Sequence, residues 1–384
     1  MAEDTQPTIT YGIFNETAEY ESRVALTPDI VKRLKRSSVA CVIESNAGHA
    51  AGFSDEEYEK AGASIGSKDE VIAQAQAFGF VGRPDEGLID RLPRGSWVIG
   101  MLGSFTDQEY VDSLDKAGLV GVGIEKLPRQ LSSAQSMDEM TSQNSVMGYK
   151  AVLKAADAYG SFFPMMTTAA GTIRPAKVLI LGAGIAGLQA IGTARRLGAV
   201  VTAYDVRPAA KSEVLSLGAK FLDLGLDFSK GQGEGGYARQ LTAEEQAAQQ
   251  AAVDTKAAEF DVVITTAKVP GRKPPVLLTK AGVDGLHRGA VIVDCAASDL
   301  GGNVEGSRPN ETIITDNGVQ LIGAPDLASG VATTASNLLA RNVADVLVHF
   351  VQDGKLAMDL NEELDNAMVV AGRDETTATK EEEK

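Results

Sequence analysis

This sequence predicts two Rossmann-like α/β domains, each a doubly wound parallel sheet, separated by a cleft and joined by long helices. Three observations point there. The 384 residues exceed what one hydrophobic core ordinarily organises, and 44% apolar content suits two soluble cores. Short β-branched runs alternate with helical patterns at spacings that suit parallel strands with crossover helices. Midway, an apolar strand runs into Gly182-x-Gly184-x-x-Gly187 and a helix follows, which is the turn of a dinucleotide-binding unit.

In chain order, the strands expected in the first domain are TITYGIF (8–14), SVACVIES (38–45), AQAFGFVGR (75–83), GSWVIGML (95–102) and LVGVGIEKL (119–127). Between them, TPDIVKRLKR reads as a helix with Thr27 as N-cap and Pro28 at its first position, and FTDQEYVDSLDKAG as one closed by Gly118. No glycine fingerprint accompanies this sheet. The run EMTSQNSVMGYKAVLKAADAYG (139–160) forms a long helical pattern that carries the chain to the second domain, its opening expected at the interdomain cleft. The second sheet begins with AKVLIL (176–181) and continues with DVVITTA (261–267), AVIVDCA (290–296) and VQLIGA (319–324). A helical pattern from Ala335, ASNLLARNVADVLVHFVQDG, then returns the chain to the first domain, and GRDETTATKEEEK is a charged tail expected to fray. The predicted domains are therefore 1–140 plus 335–384, discontinuous, and 141–334, the nucleotide-binding one.

The net charge of −16, uninterrupted by any basic cluster, argues against nucleic acid and against an anionic membrane surface as partners. Cys41 and Cys295 lie in strand-like apolar runs, which predicts buried reduced thiols, with neither a disulfide nor a metal site, in a reducing cytosol. The N-terminus MAEDTQPT is acidic without an apolar signal core, and no run approaches the ~18 apolar residues of a membrane span.

The glycines of the central turn have separate tasks. Gly182 permits the tight turn, Gly184 lets backbone amides approach a pyrophosphate at the helix N-terminus, and Gly187 lets helix and strand pack closely. Ala183, Ile185 and Ala186 belong to the same cofactor-binding turn. Asp205, eighteen residues after Gly187 at the end of the next strand, stands where a carboxylate accepts hydrogen bonds from an adenosine ribose diol and repels a 2′-phosphate. NAD(H) is the expected cofactor. Val206 and Arg207 adjoin it, Arg207 as a lid or a salt-bridge partner, and Thr266 and Ala267 close the run 261–267 beside it. The stretch SKGQGEGGYARQ, with Gly233, Gly235, Gly236 and Tyr237, reads as a mobile flap over the cofactor or as a plain surface insertion.

An enzyme that reduces a ketone or imine with NADH usually needs a proton donor, most often histidine or lysine. The three histidines, His49, His287 and His349, each fit ordinary surface or packing roles. By contrast, Gln135, Asp138, Thr141, Ser142, Gln143 and Asn144 cluster where the long helix opens. Amides and hydroxyls orient a carboxamide without shuttling protons. Hydride transfer between two nicotinamide rings needs no accompanying proton, so a site made only of positioning groups suffices for it. With one dinucleotide fingerprint in the chain, the second ring is expected on another polypeptide.

The segments PRQLSSAQSMD (128–138), TSQNSVMGYKAV (141–152), 162–208 and GGYA (235–238) closely resemble the NAD(H)-binding domain I of proton-translocating NAD(P) transhydrogenases, almost end to end. ESRVALTP (21–28) is shared with alanine dehydrogenases of the same two-domain fold. The resemblance implies a homodimer that passes hydride from NADH to NADP⁺ bound as NADP(H) on a separate domain III. A membrane-spanning domain II would couple that step to proton flow. The chain then resembles a split-subunit form, cytoplasmic and held at the inner face of the plasma membrane through its partners. Carried onto matching positions, Gln135, Asp138 and Arg129 form the catalytic set, Gln135 and Asp138 on the nicotinamide-ribose side. Thr141 replaces a nearby serine, and Tyr237 sits on the mobile loop with Gly236. Arg129 lies six residues before Gln135, one more than the family pattern, and Ser133 replaces its second arginine. VDCAASDLGGN (293–303), around Asp299, is likewise one residue longer. An alanine dehydrogenase is the rival expectation, yet Phe80 and Met101 stand where its substrate-binding lysine and catalytic histidine belong, and Arg23 alone does not replace them. A catalytically silent NAD(H) sensor is the alternative outside enzymes.

Overall fold

The computed structural model describes residues 9–226, 241–268 and 271–373. The chain divides into two compact units, residues 1–143 with 331–384, and residues 144–330. In chain order, the first unit contributes β1 (Ile9–Ile13), β2 (Val39–Glu44), β3 (Ser64–Gly66), β4 (Ala77–Gly79), β5 (Trp97–Gly100) and β6 (Val120–Gly123). The second contributes β7 (Met166–Thr168), β8 (Gly171–Ile173), β9 (Lys177–Leu181), β10 (Val200–Tyr204), β11 (Lys220–Phe221), β12 (Val262–Thr265), β13 (Val291–Asp294), β14 (Thr312–Ile314) and β15 (Gln320–Gly323). The chain then returns to the first unit with β16 (Val351–Gln352), β17 (Lys355–Leu356) and β18 (Val369–Ala371).

The first unit is a seven-stranded sheet in the order β18-β6-β5-β4-β1-β2-β3. β1 pairs in parallel with both β2 and β4, so the winding reverses direction beside it, the mark of a doubly wound sheet. Every residue of β4, β5 and β6 is buried, as expected of parallel strands covered by helices on both faces. The helix Pro28–Arg36 packs Ile30, Val31 and Leu34 into this core. Thr27 stands at the N-cap as expected, held there by backbone alone, and its hydroxyl is buried with no hydrogen-bond partner among the described residues. Ser54 and Ser67 instead build full capping boxes with Glu57 and Glu70. The helix Gln108–Ala117 ends at Gly118 in the left-handed conformation. The helix Ala332–Phe350 brings Leu339, Val343, Leu347 and Phe350 back into the first core, where Phe350 meets Trp97 with ring centroids 5.0 Å apart.

The second unit repeats the plan with the order β11-β10-β9-β12-β13-β15-β14 and β9 near the centre. Both sheets are mixed rather than wholly parallel. β18 lies antiparallel on β6 and β14 antiparallel on β15, so each sheet closes one edge with a short reversed strand. β7 and β8 form a separate antiparallel hairpin. Cys41 and Cys295 are buried free thiols. Among the described residues no helix is long and apolar enough to cross a membrane.

Candidate functional site

The glycine turn follows from its backbone. β9 ends at Leu181, and Gly182 takes φ +99°, a conformation that side-chain-bearing residues rarely adopt. Gly184 is the N-cap of the helix Ile185–Arg196, no side chain among the described residues caps its first turn, and that turn carries no acidic residue. Among the described residues the space beside Gly184 is open: a Cβ built there meets nothing within 4 Å. Uncapped first-turn amides, the positive end of the helix dipole and open room together fit a pyrophosphate. A Cβ on Gly187 would lie 1.9 Å from the Gly182 carbonyl oxygen, so only glycine lets the helix start this close to the strand end. Gly148, on the helix Glu139–Ala158, makes a second close approach that sequence reasoning missed: its Cβ would fall 2.1 Å from the Ala186 carbonyl oxygen.

Asp205 follows β10 and connects the turn to the next helix. Its Oδ2 accepts from the Ala183 N–H at 2.8 Å and from Arg207 Nη2 at 3.0 Å. Oδ1 accepts from the Arg207 N–H at 2.8 Å and from Arg207 Nε at 2.9 Å. Arg207 Nη2 also reaches the Ala183 carbonyl at 3.1 Å. The pair is largely shielded, with the arginine and aspartate side chains 19% and 9% exposed. Val206 between them is half-buried.

Beside the turn, Thr266 Oγ1 donates to the Gly182 carbonyl at 3.0 Å. Asn303, fully buried, clamps Ala267: its Oδ1 accepts from the Ala267 N–H at 2.9 Å, and its Nδ2 donates to the Ala267 carbonyl at 2.9 Å and to the Pro275 carbonyl at 2.7 Å. Asn303 therefore positions the strand end that carries Thr266 and Ala267. The sequence offered little sign of it beyond two glycines and an asparagine after a strand-ending Asp294. Asp299, a few residues earlier, is exposed.

In the first unit, Asp138 precedes the helix Glu139–Ala158 and caps it. Its Oδ1 accepts from the Thr141 N–H at 2.8 Å, and its Oδ2 accepts from Thr141 Oγ1 at 2.6 Å and Arg129 Nε at 2.8 Å. Arg129 Nη2 closes the triangle on Thr141 Oγ1 at 2.7 Å. Arg129 thus lies within reach of Asp138 across a turn at Pro128–Leu131 and the 3₁₀ stretch Ser132–Met137. Gln135 itself is exposed. Two other members of the expected polar set are paired within the fold. Ser142 Oγ donates to Asn342 Oδ1 at 2.8 Å, and Gln143 Nε2 donates to the Ala335 carbonyl at 3.1 Å while its Oε1 accepts from Arg23 Nη1 at 2.9 Å. Both tie the first turn of this helix to the returning helix 332–350.

Arg23 is otherwise held by Glu21 through Nε to Oε1 at 2.8 Å and Nη2 to Oε2 at 2.6 Å. Phe80 is buried and stacks on Phe14 with ring centroids 5.8 Å apart, and Met101 is half-buried. His287 pairs with the buried Asp261 and His349 with the buried Asp365, while His49 lies exposed in a 3₁₀ turn. Gly233, Gly235, Gly236 and Tyr237 lie outside the described residues.

Residues 12–147 match the alanine dehydrogenase/PNT N-terminal domain family, and residues 151–378 match its C-terminal domain family. The first segment of a divided NAD(P) transhydrogenase alpha subunit, from Rickettsia prowazekii, is 39% identical over 351 residues, 90% of either chain. The crystal structure of a transhydrogenase from Sinorhizobium meliloti superposes with a TM-score of 0.79 at 39% identity, covering 89% of this chain and 94% of that one. An L-alanine dehydrogenase structure gives 0.74 at 25% identity, over 94% and 93%. With its two matched domains and these identities, the chain belongs to the alanine dehydrogenase/PNT family, on the branch of the NAD(P) transhydrogenase alpha subunits.

Proposed function

We propose that the chain is the NAD(H)-holding component of a proton-translocating transhydrogenase, an oxidoreductase that serves hydride transfer from NADH to NADP⁺ on a partner polypeptide. The observation that carries this is the uncapped turn Gly182–Gly187 with Asp205 at the neighbouring strand end. Its first-turn amides hold the pyrophosphate, and Asp205 selects the unphosphorylated adenosine ribose. Gln135 and Asp138 serve the reactive end, with Arg129 and Thr141 fixing the Asp138 carboxylate. Bound NADH supplies the hydride, which passes between nicotinamide rings without a proton. The side chains at the dehydrogenase positions support this reading. Arg23 is engaged by Glu21 and Gln143, and a stacked phenylalanine stands where an ammonium would be needed.

The partners follow the family: a second copy of this chain, a membrane-spanning domain II subunit and an NADP(H)-binding domain III subunit, which together hold the chain at the inner membrane face. The hairpin β7–β8 supports the second copy. A lone two-stranded hairpin is marginal in water, and this one, entered at Met165 and ending at Ile173, leaves those two side chains 65% and 41% exposed. The test is isotopic. Purified chain mixed with the NADP(H)-binding subunit should move label from reduced-ring-labelled NADH into NADPH, with no transfer when either polypeptide is omitted. Robust reductive amination of pyruvate by the chain alone would overturn the proposal in favour of an amino-acid dehydrogenase.

A further inference from the structure

Asp205 has no acceptor site left. A carboxylate offers about four lone-pair positions. Here two are taken by backbone amides, those of Ala183 and Arg207, and two by the Arg207 guanidinium. The amide bonds are built into the fold, since they join the glycine turn to the end of β10. The guanidinium bonds are not. Arg207 is the N-cap of the helix Pro208–Ser216, so its backbone is fixed while its side chain turns about its own torsions without disturbing that helix. An incoming ribose diol brings two O–H donors, and the guanidinium occupies the two positions they require.

We propose that Arg207 is an internal competitor for the ribose site, a latch whose guanidinium stands in for the diol and leaves when nucleotide enters. This builds on the assignment of Asp205 to the adenosine ribose. On opening, the two guanidinium bonds to Asp205 and the Nη2 bond to the Ala183 carbonyl are given up, and two O–H bonds form on the same carboxylate oxygens while the backbone bonds stay. Arg207 is thus a specificity-determining residue that sets how readily a diol-bearing nucleotide enters and leaves. A latch shut nine-tenths of the time weakens apparent affinity about tenfold, because only the open fraction binds.

The experiment compares the intact chain with Arg207→Ala and Arg207→Lys, using two probes, NADH and 2′,3′-dideoxy-ADP, whose sugar offers no donors to exchange. Equilibrium titration and stopped-flow association are measured for each, with thermal melting to show that the variants fold. Arg207→Ala should bind NADH about tenfold more tightly, through faster association, while its affinity for the dideoxy probe stays within about twofold. Arg207→Lys, which keeps the charge but loses the two-pronged geometry, should fall between. Weaker binding of NADH by Arg207→Ala would show that the guanidinium grips bound nucleotide and would overturn the latch. So would unchanged NADH affinity, or equal gains for both probes. Should the wild-type chain bind no NADH at all, the dinucleotide assignment itself fails and the latch falls with it.

Discussion

Replacing Glu139 with glutamine should remove a pH dependence that the wild-type fold carries above neutrality. Glu139 opens the helix Glu139–Ala158, is 3% exposed, and its Oε2 has no hydrogen-bond partner among the described residues. Burial above all, then the nearby Glu125, Glu16 and Glu21, pushes its carboxyl up to about 8, with Arg23 opposing. A carboxyl raised on folding binds its proton more tightly in the native state than in the unfolded chain. Its stabilising share is therefore complete below the ordinary 4.5 and is lost as pH rises through about 8. At about 1.4 kcal/mol per pH unit, the whole span amounts to roughly 5 kcal/mol, of which about 1 kcal/mol falls between pH 7 and pH 9. Glu16, raised to about 7 mainly by burial, completes most of its change below that window. The assay is urea unfolding followed by fluorescence of Trp97, the single tryptophan, which lies buried against Phe350 in the first core and so reports on this unit. From pH 7 to pH 9 the wild type should lose about 1 kcal/mol more than Glu139→Gln. Parallel stability curves for the two proteins would refute the reasoning, because they would mean that Glu139 is not held protonated by its surroundings.

The other expectations concern the nucleotide turn and the Asp138 cluster. Gly187→Ala places a methyl 1.9 Å from the Gly182 carbonyl, so the helix start must shift and NADH affinity should fall by at least about tenfold in a fluorescence titration. Retained affinity would show that the turn tolerates a displacement that its geometry forbids. Asp205→Ser removes the carboxylate that repels a 2′-phosphate and releases the Arg207 guanidinium to attract one, so the preference for NADH over NADPH should narrow by about tenfold or more. An unaltered preference would mean that Asp205 does not read the ribose. Asp138→Asn keeps a good helix cap but discharges the partner of Arg129, so stopped-flow hydride transfer to the NADP(H)-binding subunit should slow by more than about tenfold with NADH binding nearly unchanged. Equal rates would reduce Asp138 to a structural cap.

β9 and β13 were legible because each carries a run of buried apolar residues long enough to stand out between its neighbouring turns. β14 and β18 were not. Each is a short edge strand, and its antiparallel pairing is set by where the chain returns rather than by local composition. The same division holds in the site. Gly182, Gly187 and Asp205 act through neighbours a few residues away or across one strand pair, and such arrangements leave a motif. Ser142 finds Asn342 two hundred residues later, and Gln143 finds the Ala335 carbonyl at similar range, so nothing local distinguishes them from groups waiting for a ligand. Asn303 was hidden for a related reason, since its task is to satisfy the Ala267 peptide and that demand appears only when the two chain segments meet.

What the folded chain adds to the chemistry is the fate of the arginines. Arg23 is paired with Glu21, Arg129 with Asp138 and Arg207 with Asp205, each inside its own unit. A dehydrogenase acting on an amino acid needs a cation to receive the substrate carboxylate and a group that trades protons. Here Arg23 already has a carboxylate partner in Glu21, and Phe80 is buried and stacked on Phe14. Such pairing suits a protein that positions a coenzyme and contributes no charge of its own to the reacting carbon. It also explains why the Asp138 substitution is the more telling one: it breaks an arginine pair without removing a helix cap. Any change in transfer rate then measures the arrangement of charge rather than the stability of the fold.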